Sequence, residues 1–213
     1  RLLTFAAWAD AIAHSFHRCF YVPLHAADDA AFDIDRALVN RRGIYKDTYR
    51  SSGGWTDYQL RPNFLVAMAV APQLFAPHAA EAAAAVRIAQ RQLCGPLGMR
   101  TLDPDDWAYR GDYHNGDDSA DRAVAGGFNY HQGPEWLWPF GCFLQALVRF
   151  GAFSDADARD AAVYSLLQPH VALVQSPPWY GLPELTNANG AFCPDSCRTQ
   201  AWSFATILEA LHL

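Results

Sequence analysis

The chain has 213 residues, a formal net charge of −6 and 18% charged residues. This length is enough for one domain with a sizeable core or for one piece of a larger domain. Its 16 lysines and arginines are scattered, whereas a nucleic-acid-binding surface needs them clustered. The sequence therefore predicts no nucleic-acid partner. It also predicts no membrane-spanning helix, because no window approaches roughly 18 consecutive apolar residues.

Apolar stretches of helical length alternate with long irregular loops, and no period-two alternation is long enough to predict a sheet. Pro62 and Pro134 suit the first turns of two helices, and Ser154 is the expected N-cap of a third. The predicted helices cover residues 2–21, 62–75, 79–93, 134–150, 155–174 and 199–211.

Two kinds of helix alternate along the chain. Segments 64–71, 136–148 and 202–211 are apolar on nearly all sides and are predicted to be buried, whereas the third and fifth helices carry charged residues on one face. Buried and exposed helices in turn are typical of a toroid of helical hairpins. A complete (α/α)6 toroid needs twice as many helices, so the sequence predicts an all-α fold in which residues 1–213 form about half of a toroid, as a fragment of a longer domain.

Long loops lead into the predicted inner helices, and loops longer than about 15 residues are uncommon unless they are functional. We expect these loops to open at one end of the ring. Each carries polar side chains beside aromatic ones, and the 14% aromatic content with seven tryptophans suits a hydroxyl-rich ligand such as a sugar, although core packing explains any single tryptophan equally well. The candidate ligand-binding residues are Asp57, Arg61, Asn63, His131, Gln132, Glu135, Trp136, Trp138, Asn187, Gln200 and Trp202.

The loop at residues 102–118 is rich in aspartate. It lacks the glycine and glutamate spacing of a calcium-binding loop. Asp103, Asp105 and Asp106 lie beside Trp107 and are candidates for binding sugar hydroxyls; solvated or capping aspartates are the alternative. His131 is likewise either a hydrogen-bond donor to a substrate or a structural histidine.

Cysteine usage predicts neither a metal site nor a disulfide framework. The five cysteines are an odd number, and Cys193 and Cys197 have no second pair or histidine at zinc-ligand spacing. We expect no metal and no cofactor, and the reduced thiols of a cytoplasmic protein.

Two glutamates in uncharged surroundings are candidates for glycoside hydrolysis, which uses an acid and a partner carboxylate; in inverting enzymes these lie about 6.5–9.5 Å apart. Glu184 lies between Pro183 and Leu185, in a loop that also holds Trp179. Glu135 is predicted in the first turn of a helix, where stabilisation of the helix dipole is at least as good an interpretation as catalysis.

Five segments, in order along the chain, resemble the C-terminal glucosidase domain of eukaryotic-type glycogen debranching enzymes. They are YKDTYRSSGGWTDYQLRPNF, LCGPLGMRTLDPDDWAY, GFNYHQGPEWLWP, GLPELTN and TQAWS. The resemblance implies an (α/α)6 toroid and an inverting amylo-α-1,6-glucosidase. Such an enzyme removes the single glucose left at a branch stub of glycogen or of a branched limit dextrin. Full-length members also carry a 4-α-glucanotransferase domain upstream.

The resemblance also implies catalytic roles. The family's general base corresponds to Glu184 of GLPELTN, and its general acid is an aspartate in a Trp-x-Asp stretch that we expect upstream of residue 1. Trp8 to Asp10 fits that pattern superficially, but Asp10 lies in a predicted helix whose surroundings match the family segment after the acid. The isolated chain is therefore expected to be inactive and to fold poorly. The alternatives are a non-catalytic glycan-binding portion and a toroid scaffold for protein partners.

Overall fold

The computed structural model describes residues 3–116, 121, 129–177 and 180–213. Asp117, Asp118, Phe128 and Trp179, which belong to the predicted loops and motifs, lie outside the described residues. The described helices are α1 (Phe5–Phe20), α2 (Gly54–Asp57), α3 (Asn63–Val70), α4 (Ala79–Gln92), α5 (Trp138–Phe150), α6 (Ala156–Gln175) and α7 (Ala201–Ala210).

Short strands tie the long loops together. The described strands are β1 (Tyr21–Val22), β2 (Ile44–Tyr45), β3 (Met99–Arg100), β4 (Glu135–Trp136) and β5 (Leu185–Thr186). The first two pair antiparallel. The other three form an antiparallel sheet with β4 in the centre, where Trp136 lies opposite both Met99 and Leu185. The fold is mainly helical, as predicted, but the expectation of no sheet was wrong, because two-residue strands are too short to produce an alternating pattern.

The helix boundaries differ from the prediction at the ends of three helices. Helix α5 begins at Trp138 rather than Pro134, because Glu135 and Trp136 pair in the sheet. Helix α6 is capped by the Asp155 carboxylate, which accepts a hydrogen bond from the Ala158 amide at 2.8 Å, so the expected cap at Ser154 was wrong. Helix α3 ends at Val70 and is followed by two 3-10 turns.

Helix α5 is the centre of the hydrophobic core and packs against α3, α4 and α7. Most of its residues are buried, which confirms the prediction that this helix is buried. Helix α4 turns an alanine-rich face to the core, and α6 is largely exposed, as their charged faces predict. Helix α7 is buried on one face only, since Trp202 and Leu208 are about half exposed. No described helix has the length and apolar character needed to cross a bilayer.

Helices α5 and α7 approach each other at Gly141. A Cβ atom at this position would lie 2.2 Å from the carbonyl carbon of Thr206. The same pair of helices is joined by the Thr206 hydroxyl, which donates to the Trp138 carbonyl at 2.8 Å. Glycine at position 141 therefore sets the separation between the two helices.

Replacing Gly141 by alanine is expected to lower the free energy of unfolding by about 1–3 kcal/mol, because backbone atoms of α7 must move to admit the methyl group. Urea unfolding followed by tryptophan fluorescence measures this change. The matched control is Gly53→Ala, whose Cβ would meet its nearest atom at an ordinary 3.6 Å. Equal midpoints for the two variants would contradict the close approach.

Candidate active site

The loops that precede α3 and α5 enclose a cavity of about 320 Å³. This volume lies at the small end of the range for small-molecule pockets, about 300–1,000 Å³. Its walls combine charged, amide and aromatic side chains. The lining residues are Asp47, Thr56, Gln59, Arg61, Pro62, Asn63, Thr101, His131, Trp136, Trp138 and Pro139.

Arg61 joins the walls of the cavity. Its guanidinium donates to the Thr101 carbonyl at 3.0 Å and to the His131 carbonyl at 2.6 Å. It also donates to the side-chain oxygens of Gln132 at 2.7 Å and Gln59 at 2.9 Å. Burial lowers the pKa of Arg61 from its usual value, against the opposing effect of nearby carboxylates. One planar group thus fixes two loops that are about seventy positions apart in the chain.

Asp47 is a cavity residue that the sequence analysis did not select. Its carboxylate accepts a hydrogen bond from the Asn63 amide at 2.6 Å and lies 3.8 Å from the Arg61 guanidinium. Burial raises the pKa of Asp47 above its usual value, while Asn63 and Arg61 oppose this shift. The only available signal was its place in the first of the five motifs.

Aromatic rings form another part of the cavity wall. The Trp136 ring stacks on His131 with centroids 4.8 Å apart and a 23° interplanar angle. The Tyr130 and Trp136 rings form a T-shaped contact with centroids 4.7 Å apart. Trp138 stacks on Trp202 with centroids 4.2 Å apart and an 11° interplanar angle. The first turn of α7 therefore supports this wall through Trp202.

Glu184 does not itself line the cavity but lies next to the aromatic wall, where its side chain forms a hydrogen bond with Tyr130. Its side chain accepts a hydrogen bond from the Gln200 amide at 3.2 Å and interacts electrostatically with His131. Burial and a hydrogen bond to Glu184 both raise the pKa of Tyr130. The Glu184 backbone is fixed on both sides, because its amide donates to the Cys197 carbonyl at 2.9 Å and its carbonyl accepts from the Leu137 amide at 3.1 Å.

Glu135 lies in β4 and its side chain is fully buried, so its expected place in the first turn of a helix was wrong. Its two carboxylate oxygens accept hydrogen bonds from the Asn189 amide at 3.0 Å and the Gly190 amide at 3.1 Å. Arg100 lies 3.6 Å away. The side chain holds the turn after β5 and does not line the cavity; burial raises its pKa to about 7.

The remaining candidates fall into two groups. Two glutamines stand behind the cavity wall: Gln132 accepts a hydrogen bond from Arg61, and Gln200 donates one to Glu184. The others do not line this cavity and contact neighbouring loops instead. Asp57 accepts hydrogen bonds from the Thr48 hydroxyl and the Ser51 amide, and Asn187 accepts one from the Tyr113 amide. Asp103, Asp105 and Asp106 line a separate small cavity with Arg41.

Among the described residues, one group of potential metal ligands stands close together. Nitrogen or oxygen atoms of His17, His78 and Glu81 lie within 4.8 Å of one another. The two imidazole rings stack face to face, with centroids 3.4 Å apart and a 4° interplanar angle. Because imidazole nitrogens bind metals in the plane of the ring, parallel stacked rings do not converge on one ion. None of these three residues lines the cavity.

Comparison with known proteins identifies relatives of the whole chain. Residues 2–209 match the family model described as Amylo-alpha-1,6-glucosidase. The chain is 44% identical, over 222 aligned positions that cover 99% of it, to the protein named Glycogen debranching enzyme from Saccharomyces cerevisiae. The match covers 14% of that protein, so the chain spans a small part of its relative's length.

The buried carboxyl group of Glu135 is expected to make stability depend on pH. Because its folded pKa of about 7 lies above its usual value of 4.5, the stabilisation is fully present below about pH 4.5 and is lost as the pH rises through 7. Relative to Glu135→Gln, the native protein should lose roughly 3 kcal/mol of unfolding free energy across this range.

Urea unfolding at a series of pH values between 4.5 and 8 measures that difference. The control is Glu209→Gln, which changes an exposed carboxylate on α7 and should leave the pH profile parallel to that of the native protein. Parallel profiles for native protein and Glu135→Gln would show that Glu135 is ionised throughout the range.

Proposed function

The chain belongs to the amylo-alpha-1,6-glucosidase family, and on that premise we propose that it carries the base-bearing part of an inverting glucosidase site. The proposed substrate is glycogen or a branched limit dextrin, from which the enzyme releases the single α-1,6-linked glucose at a branch stub. The observation that carries the proposal is the location of Glu184, held by Gln200 and Tyr130 beside a cavity of about 320 Å³.

The cavity suits one glucose ring. Trp136 and Trp138 offer apolar surface to the C–H faces of a sugar, and Asp47, Asn63 and Arg61 offer acceptors and donors to its hydroxyl groups. These polar groups are already held by hydrogen bonds to each other and to the backbone, so little ordering is needed when a sugar binds.

In the proposed mechanism, Glu184 takes a proton from a water molecule as that water attacks the anomeric carbon. The bond to the leaving oxygen breaks on the opposite face, and an acid protonates that oxygen, which inverts the configuration at the anomeric carbon. The Gln200 amide and the Tyr130 hydroxyl keep the Glu184 carboxylate in one orientation, as a base must be to reach a bound water.

The acid is proposed to come from outside residues 1–213. Asp10 fits the Trp-x-Asp pattern superficially, but it is exposed on α1 and does not line the cavity. Asp57, which follows Trp55 in the same pattern, is buried and does not line the cavity either. The chain matches 14% of its yeast relative, which supports a longer protein containing the rest of an (α/α)6 toroid and an upstream 4-α-glucanotransferase domain. All five cysteines are free thiols, which supports a cytoplasmic location.

Replacing Glu184 by glutamine in the full-length protein should reduce glucose release from a branched limit dextrin by about 10²–10⁴-fold, the usual contribution of a general base. Glucose release is measured with a coupled enzymatic assay. Glu209→Gln, an exposed change on α7, should leave the rate unchanged. A near-native rate for Glu184→Gln would exclude Glu184 as the base and favour a glycan-binding or scaffold role.

Replacing Asp47 by asparagine should raise the KM for the same dextrin about ten-fold, because a charged hydrogen bond to a sugar hydroxyl is lost. Initial rates of glucose release over a range of dextrin concentrations measure the effect. The control is Asp157→Asn on the exposed face of α6. An unchanged KM for Asp47→Asn would remove this residue from the sugar site.

A further inference from the structure

Two tryptophans stand exposed together outside the cavity. Trp107 is 75% exposed and Trp55 is 41% exposed, and their rings lie with centroids 5.2 Å apart and a 47° interplanar angle. Large aromatic side chains are usually buried for most of their surface. A pair of them in contact with each other and with solvent is a feature of binding surfaces.

The segments that carry the two rings are held firmly. Trp55 lies in α2, whose first turn is closed by the Thr56 amide and hydroxyl, which donate to the Gly53 carbonyl at 2.8 and 2.7 Å. Next to Trp107, the Asp106 carboxylate accepts from the Ala108 amide at 2.9 Å. The exposure of the rings is therefore a fixed property of two hydrogen-bonded turns.

The two segments that carry the pair border the cavity, and we call them its rim. Thr56, which follows Trp55 in the chain, lines the cavity, and so does Gln59. The Gln59 amide donates to the Asp106 carboxylate at 3.1 Å, which connects the cavity wall to the turn that carries Trp107. A polymer that places one sugar in the cavity can therefore extend along this rim.

We propose that Trp55 and Trp107 bind glucose units of the α-glucan chain that lie beyond the glucose removed in the cavity. The C–H faces of successive sugar rings pack on the two indoles, and the inclination of the rings fits a chain that curves, as an α-1,4-linked glucan does. The exposed Asp105 carboxylate pairs with Arg41 at 2.8 Å and retains lone pairs that can accept hydrogen bonds from sugar hydroxyls. This inference rests on the proposed glucosidase function and adds a site that selects polymer substrates.

Two substrates, each tested with the full-length protein, distinguish binding at the tryptophan pair from binding in the cavity. Maltoheptaose bearing one α-1,6-linked glucose needs both the cavity and the rim, whereas α-glucosyl fluoride occupies the cavity alone. Trp107→Ala and Trp55→Ala should each raise the KM for the branched substrate roughly ten-fold, a typical loss for an aromatic contact at a binding surface. Neither variant should change kcat/KM for α-glucosyl fluoride.

Trp107→Phe keeps an aromatic face and should recover most of the native KM. Trp8→Ala removes another tryptophan, 58% exposed on α1, and should have no effect on either substrate. An unchanged KM for the branched substrate, or an equal loss with both substrates, would overturn the inference. Failure of the proposed function would be recognised separately, since Glu184→Gln would then hydrolyse both substrates at native rates.

Discussion

The Arg61 guanidinium is the contact on which the site depends. It spans from the start of α3 to the backbone of Thr101 and His131, which belong to a different loop. A planar group with five donors can hold several acceptors in fixed directions, which a lysine cannot do. Its charge is taken out of water only because these acceptors and the nearby Asp47 carboxylate replace the lost hydration.

A second layer of contacts positions the loop that carries Glu184. Strand β4 pairs with β3 on one side and β5 on the other. Trp136 therefore lies opposite Leu185, the residue that follows Glu184. The buried Glu135 carboxylate binds the turn at Asn189 and Gly190, and Gly141 allows α5 and α7 to come close. The proposed base is therefore placed by the sheet and by helix packing, while the cavity is shaped by Arg61.

The sequence was sufficient to predict features that depend on local patterns. Helix α5 and the exposed α6 follow from long runs of apolar or amphipathic residues. The loops before α5 and α7 pair in the β3–β4–β5 sheet. Two features that the sequence analysis missed share one cause. The strand at Glu135 and Trp136 and the cavity position of Asp47 are decided by partners far away in the chain, and no local pattern contains that information. Trp55 and Trp107 were equally inaccessible, because exposure of an aromatic side chain is a tertiary property.

The most direct test of the central claim is a crystal structure of the full-length Glu184→Gln protein with isomaltose, an α-1,6-linked disaccharide, bound to it. The expected result is a non-reducing glucose ring inside the cavity, packed on Trp136 and Trp138, with hydroxyl groups bonded to Asp47 and Arg61. The side chain at position 184 should lie one water molecule away from the anomeric carbon. A sugar bound at another surface, or a side chain at 184 directed away from the anomeric carbon, would contradict the claim.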